Sequence, residues 1–259
     1  MASDTNNVKL GVCKITFDGV DLGYTKGGVD VSVTTETHKT EVDQFGKSPI
    51  SEIIMGRSCT VKVPLAETTL ENLVKVMPGA TLTTDGTDPT KKRVDVVNGV
   101  GTNLLSIAKI LILHPQALAD TDYSQDFNIP IAATAGALNF AYKLDQERIY
   151  DVNFTAYPNS TSKKLFSIGD LLAAAKTTVA DATTEIFTTA THGYASGTMV
   201  ALDSSLTLPS PLVAHRSYFV NNVTANTFKL AYTAADAIAG VNLIAITDIG
   251  TGVVKVSAV

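Results

Sequence analysis

The stretch from Gly27 to Glu67 constrains the fold most. Val29, Val31 and Val33 alternate with Asp30, Ser32 and Thr34, a period of two that places the valines on one strand face and the polar groups on the other. A second extended run is expected from Lys39 to Phe45. The turn-rich tip Gly46-Lys47-Ser48-Pro49 follows, and the chain returns through Ile53, Ile54 and Met55 into the alternating strand Thr60 to Val63. This is the pattern of a long antiparallel hairpin, with a tip far more polar than a tight turn requires.

Other segments extend this β pattern. Val8 to Phe17 reads as a first strand, turned by Asp18-Gly19. Leu104 to Leu113, Asp126 to Ala133, Leu138 to Leu144 and Glu147 to Tyr157 read as further strands. One segment changes period: Thr68 and Glu71 have the spacing of a capping box, with Thr68 as N-cap. Leu70, Leu73, Val74 and Met77 then recur at helical spacing before Pro78-Gly79 stops the helix. At about nine residues it must dock an apolar face to be stable. The polar segment from Gly79 to Asn103 is expected to be a loop or an irregular hairpin.

Leu171 to Lys176 is alanine-rich and reads as a linker of one or two helical turns. Beyond it come short strands at regular spacing: Glu185 to Thr189, Thr198 to Leu202, Ser217 to Val223, Thr227 to Thr233, Leu243 to Thr247 and Gly252 to Val256. That is the signature of a small antiparallel sandwich or barrel, and an Ig-sized β-sandwich is the expected form. The reading is therefore all-β, with a first domain at 1–170, a linker at 171–176 and a second domain at 177–259. No unit occurs twice.

The residues exclude several kinds of chemistry. The net charge of −5 opposes binding by phosphate neutralisation. Lys91-Lys92-Arg93, the one basic cluster, lies between Asp88 and Asp95 and has no interleaved aromatics. His38, His114, His192 and His215 are widely separated, and no metal-ligand spacing occurs; they are expected to be ordinary surface or strand residues. Cys13 and Cys59 read as reduced thiols within strands. Asn98 to Asn103 lacks the third glycine of a dinucleotide loop, and Asp85 to Asp88 lacks the later glutamate of a calcium loop. Glu41 and Asp43, two apart, would share one strand face, where a solvated surface is the plain reading. No catalytic constellation and no cofactor is expected. No apolar run reaches the ~18 residues of a membrane span, and Met1 to Asn7 carries no basic-then-apolar leader pattern.

The string VDVSVTTETHKTEVDQFGKSPISEIIMGRSCTVKVPLAE resembles the hairpin of siphophage major tail tube proteins. Val42-Asp43-Gln44, Gly46, Pro49, Gly56, Val63 and Leu65-Ala66-Glu67 carry the resemblance. It extends to about Asp170 through Glu147 to Tyr150, Phe154 to Pro158 and Leu165 to Asp170. The block from His192 to Gly252 resembles an accessory β-module of phage virion proteins.

The resemblance implies a tail-tube β-sandwich with one flanking helix (Leu70, Leu73, Val74, Met77). It implies hexameric rings stacked into a hollow tube that conducts phage DNA, in a virion tail assembled in the host cytoplasm. Implied partners are other copies of the chain, a tape measure protein, tail-tip and terminator proteins, and DNA passing without specific binding. The hairpin tip Gln44, Phe45, Gly46, Lys47, Ser48 and Pro49 is expected to reach a neighbouring subunit or ring. Asp30, Glu36, Glu41 and Asp43 are the candidate lumen acids, which would repel phosphates. The second domain is expected to project outward, with at most weak host-surface contact. Alternative readings are a tube protein of a type VI secretion-like injection machine, or a surface adhesin or carbohydrate-binding β-module.

Overall fold

The computed structural model describes residues 8, 11–136, 138–160 and 162–259. The Met1 to Asn7 reading, and Lys9 and Leu10 of the expected first strand, lie outside the described residues. The protein is all-β, built from antiparallel sheets, with three short α-helices among the described residues. The chain divides into two compact units, one of residues up to 22, 109–130 and 167–259, the other of residues 23–108 and 131–166.

In the first unit β1 (Cys13–Phe17) begins later than the alternation suggests. It turns through Asp18 and Gly19, both at positive φ, into β2 (Val20–Asp21). Phe17 opposes Val20 across this two-residue turn, the left-handed pair whose twist suits a hairpin. On its other side β1 pairs with β7 (Lys109–Pro115), Ile15 opposite Leu113. Five consecutive β7 residues, Ile110 to His114, are buried, so both faces of the strand are covered. The strand expected from Leu104 does not start there. Asn103 Oδ1 accepts from Leu105 N at 3.0 Å and caps a single helical turn, α2 (Leu104–Ile107).

The rest of this unit is a closed barrel rather than an Ig-sized sandwich. Its six strands are β11 (Lys176–Asp181), β12 (Ile186–Thr188), β13 (Met199–Ser204), β14 (Tyr218–Thr224), β15 (Thr227–Ala231) and β16 (Val254–Ala258). They close in the order β11-β12-β15-β14-β13-β16, which leaves no free edge. Its core holds Phe187 stacked on Phe228 at 5.6 Å, with Val200, Leu202, Tyr218, Val220, Leu230 and Val256. The expected strand at Leu243 to Thr247 is a single bridge, Leu243 to Ala231. Ile244 and Ile246 nonetheless plug the barrel core, which explains their apolar spacing. Residues 171–174 are turns and Lys176 already belongs to β11, so no helix forms in the expected linker. Thr233 caps α3 (Ala234–Ala239), a helix the sequence reading missed.

The second unit carries the long hairpin: β3 (Asp30–Thr40) against β4 (Ser51–Leu65). On its inner side β4 pairs with β9 (Tyr150–Ala156), setting Val61 against Phe154, Val63 against Val152 and Leu65 against Tyr150. These pairs form the unit's core, and all six are buried. β8 (Phe127–Thr134) contributes Ala132 to Thr134 to the same sheet. The segment from Leu138 to Leu144 is irregular rather than a strand, with Ala137 outside the described residues. The expected irregular segment after Gly79 contains a regular hairpin, β5 (Ala80–Thr84) on β6 (Lys92–Val96). β10 (Ser167–Ile168), in the first unit, pairs with Asn128 and Phe127 at the start of β8.

Helix α1 (Leu70–Val76) starts one residue later than the capping-box reading. Thr69, not Thr68, is the N-cap, accepting from Asn72 N at 3.2 Å. Its most buried residues are Asn72 and Val76, whereas Leu70, Leu73, Val74 and Met77 are only half-buried. Thr68 is held instead by Arg148, whose guanidinium donates to Thr68 Oγ1 at 2.8 Å and to Thr68 O at 3.3 Å. The same guanidinium lies over the rings of Phe140, Tyr142 and Tyr150.

Candidate assembly surface

The distal half of the β3–β4 hairpin carries a group of large side chains that the described residues leave uncovered. Every residue of β3 from Asp30 to Lys39 is exposed. Phe45, Ile50, Ile53, Ile54 and Met55 are each more than half exposed. An isolated two-stranded hairpin is marginal in water, and clustered exposed apolar groups are candidates for an interaction surface.

The register shows how both faces become apolar. From Asp30 to Glu36 the partners step evenly from Lys62 to Gly56; then Thr37 pairs with Ile54. Met55 is therefore an extra residue in β4, a bulge that reverses the side-chain phase of β4 but not of β3. Below the bulge Val31 and Val33 share a face with Val61 and Cys59. Above it that face continues with Thr37 and Lys39 opposite Ile54 and Glu52, while Ile53 moves to the opposite face beside His38. Thr37 Oγ1 donates to Glu52 Oε1 at 2.6 Å and ties the strands just past the bulge.

The four candidate lumen acids are all exposed, but they do not form one row. Asp30 and Glu36 lie on the same β3 face, with Ser32 and Thr34 between them, turned away from the buried Cys59, Val61 and Val63. Asp30 has Lys62 as its cross-strand partner, a lysine 3.9 Å from Asp151. Glu41 and Asp43 lie beyond the end of β3, because the extended run stops at Thr40. Asp43 opens a 3-10 turn, Asp43–Phe45, so the shared-face argument does not apply to this pair.

The tip residues Gln44, Phe45, Gly46, Lys47, Ser48 and Pro49 are all exposed. Three backbone bonds fold the loop upon itself: Phe45 N to Val42 O, Gly46 N to Asp43 O and Ser48 N to Phe45 O. Gly46 sits at φ +62, and Phe45 is thereby held outward on a defined turn.

The basic cluster is neutralised locally. Lys91 faces Asp88 at 3.5 Å, Lys92 meets Glu71 at 2.5 Å and Arg93 meets Asp95 at 3.0 Å. The Lys92 hydrogen bond holds the Glu71 carboxyl below its usual range. Asp85 Oδ1 accepts from Thr87 N and Asp88 N, a side-chain-closed turn. Cys13 and Cys59 are free thiols on β1 and β4, both pushed up by burial.

Two histidines are less ordinary than their spacing implies. His192 is buried, its Nε2 2.9 Å from Thr224 O and its Nδ1 accepting from Tyr194 N. His114 is buried with Nδ1 2.7 Å from Asp126 Oδ1. Their partners lie at least 12 residues away or in the backbone, so no local sequence spacing reports them. Among the described residues no three His, Cys, Asp or Glu side chains are grouped to hold a metal ion. No helix among them is long and apolar enough to cross a membrane. No known protein family's profile matches the chain, and no curated protein matches it.

Proposed function

We propose that this chain is a structural subunit of a phage tail tube, in which hexameric rings of identical copies stack into a hollow conduit for DNA. The observation that carries this reading is the long hairpin whose distal half exposes large apolar groups on both faces. A subunit that works alone gains nothing from such a surface. One that closes into rings buries it, together with the unpaired outer edge of β3. The resemblance of residues 29–67 to tail tube hairpins points the same way.

In this reading Asp30 and Glu36 line the lumen from β3, and Glu41 and Asp43 from the adjoining turn. An acidic wall repels phosphate, so DNA slides without adhering. The barrel decorates the outside of the tube. The tape measure, tip and terminator proteins are the partners that set length and ends.

The test is self-association. Purified protein viewed by negative-stain electron microscopy across a concentration range is expected to give six-fold rings or hollow rods. An Ile53→Ser/Ile54→Ser double variant is expected to keep its unfolding free energy within about 0.5 kcal/mol of the wild type, as exposed sites do, yet to lose assembly. Wild-type protein that stays monomeric even with tail-tip initiator added would overturn the proposal.

A further inference from the structure

Residues 97–103 join β6 to α2 and hold the chain's one Asn-Gly pair, Asn98-Gly99. We propose that this pair is a site of spontaneous covalent modification, at which Asn98 cyclises onto the Gly99 nitrogen and ends as aspartate or isoaspartate. The inference goes beyond the tail-tube reading and does not depend on it.

The chemistry needs only water and a solvent base. The Gly99 amide nitrogen gives up its proton and attacks Cγ of Asn98. The bond from Cγ to the carboxamide nitrogen breaks, and that nitrogen leaves as ammonia, closing a five-membered succinimide. Water then opens the ring. Addition at Cγ restores the ordinary backbone with an aspartate side chain. Addition at the main-chain carbonyl leaves the chain running through Cβ and Cγ, which is isoaspartate. The balance is one water consumed and one ammonia released. A glycine in the second position matters because it has no Cβ to obstruct the approach of its nitrogen and moves freely in backbone dihedral.

The structure leaves both reacting groups available. Asn98 and Gly99 are exposed. Among the described residues, neither the Asn98 carboxamide nor the Gly99 N–H makes a hydrogen bond. The bonds that shape the loop use other atoms: Val97 N donates to Gly79 O at 3.4 Å, and Thr102 N donates to Gly99 O at 3.0 Å. The loop is therefore anchored on either side of the pair without engaging the nucleophile or the carboxamide.

Other asparagines lack this combination. Asn103 Oδ1 accepts from Leu105 N, Asn159 Oδ1 from Ser162 N and Asn226 Oδ1 from Thr191 N. Each of these carboxamides is held by its bond, and each is followed by a residue with a side chain, Leu104, Ser160 or Thr227. Conversion at Asn98 has two physical consequences. It adds one negative charge to a chain of net charge −5. In the isoaspartate form it also lengthens the backbone between β6 and the turn closed by Thr102.

The test is to incubate the full chain at physiological temperature, at mildly acidic and mildly alkaline pH, beside a synthetic peptide spanning β6 to α2. Ion-exchange chromatography follows the acidic species, peptide mass mapping locates it, and isoaspartyl methyltransferase labelling identifies the isoaspartate. The acidic species is expected to map to Asn98, to form several-fold faster at alkaline pH and to contain isoaspartate. Its rate in the folded chain is expected to lie within about tenfold of the peptide's, as for a loop that needs little opening to react. Asn98→Gln lengthens the side chain, disfavours the ring and is expected to abolish the species with an unchanged circular dichroism spectrum.

Three results would overturn the proposal: no conversion at Asn98 while the peptide converts, a rate independent of pH, or an acidic species that persists at the same rate in Asn98→Gln. Failure to form rings leaves this chemistry untouched, so the two readings fail separately.

Discussion

Arg148 and Asp126 show how much one side chain can organise here. Arg148 joins the start of the α1 segment, through Thr68, to the aromatic cluster Phe140, Tyr142 and Tyr150. A lysine has the charge but not the planar fork or the stacking surface. Arg148→Lys is expected to cost about 1–3 kcal/mol, the scale of hydrogen bonds to a charged group, read as a lower denaturant midpoint with unchanged slope.

Asp126 behaves differently. Burial pushes its carboxyl above the ordinary value of 3.8, and the His114 hydrogen bond pulls it partly back. The folded protein therefore holds this proton at a pH where the unfolded chain has released it. The resulting stability is fully present below the unfolded value and is lost as pH rises through the folded one. Asp126→Asn keeps an acceptor for His114 but removes the charge. The wild-type minus variant difference in urea midpoint is expected to fall as pH rises from the unfolded value through the raised one. A difference that stays flat or rises would contradict this cause.

At the scale of elements, caps and bulges decide where the pattern starts and stops. The sequence places two threonines before α1, and the capping-box rule selects Thr68 because Glu71 follows at the right spacing. The structure uses Thr69, since Thr68 is occupied by Arg148 from 80 residues away. Thr69→Ala is expected to cost about 0.5–2 kcal/mol of stability as a lost N-cap. Thr68→Ala combined with Arg148→Lys is expected to cost less than the sum of the two single changes, because the two side chains share one contact. Thermal midpoints of the single and double variants check both. The bulge at Met55 has the same lesson. Alternation in β3 is legible from Val29 to Thr34, but the phase of β4 reverses at one residue that no periodicity marks.

For the molecule as a whole, the barrel is closely built onto β1 and β7. Ile110 N donates to Ser217 Oγ at 3.3 Å, and Arg216 meets the largely buried Asp18 at 3.3 Å. Gly19 lies so close that an added Cβ would come within 3.1 Å of Val213 and 3.2 Å of Arg216. Deleting 177–259 is thus expected to strip cover from β1 and β7 and reduce soluble yield, measured against the full chain. Under the proposed tail-tube function, Lys substitutions at Asp30, Glu36, Glu41 and Asp43 together are expected to slow DNA ejection while leaving tubes intact. A time course of ejection in purified particles checks this, and unchanged kinetics would argue against an acidic lumen.

The sequence by itself determined the β class, the long hairpin, most barrel strands and the absence of local metal or catalytic spacing. Those features rest on alternation, turn residues and neighbours within a few positions, all of which are written along the chain. Tertiary structure alone decided the rest. Burial on both faces hides β7 within an apolar run, and Asn103 diverts its start into a helical turn. Ile244 and Ile246 fill the barrel like strand residues without pairing as one. His114 gains Asp126, and Tyr123 gains His215, only because folding brings separate elements against one another. Pairing over such distances follows from packing, and no spacing along the sequence encodes it.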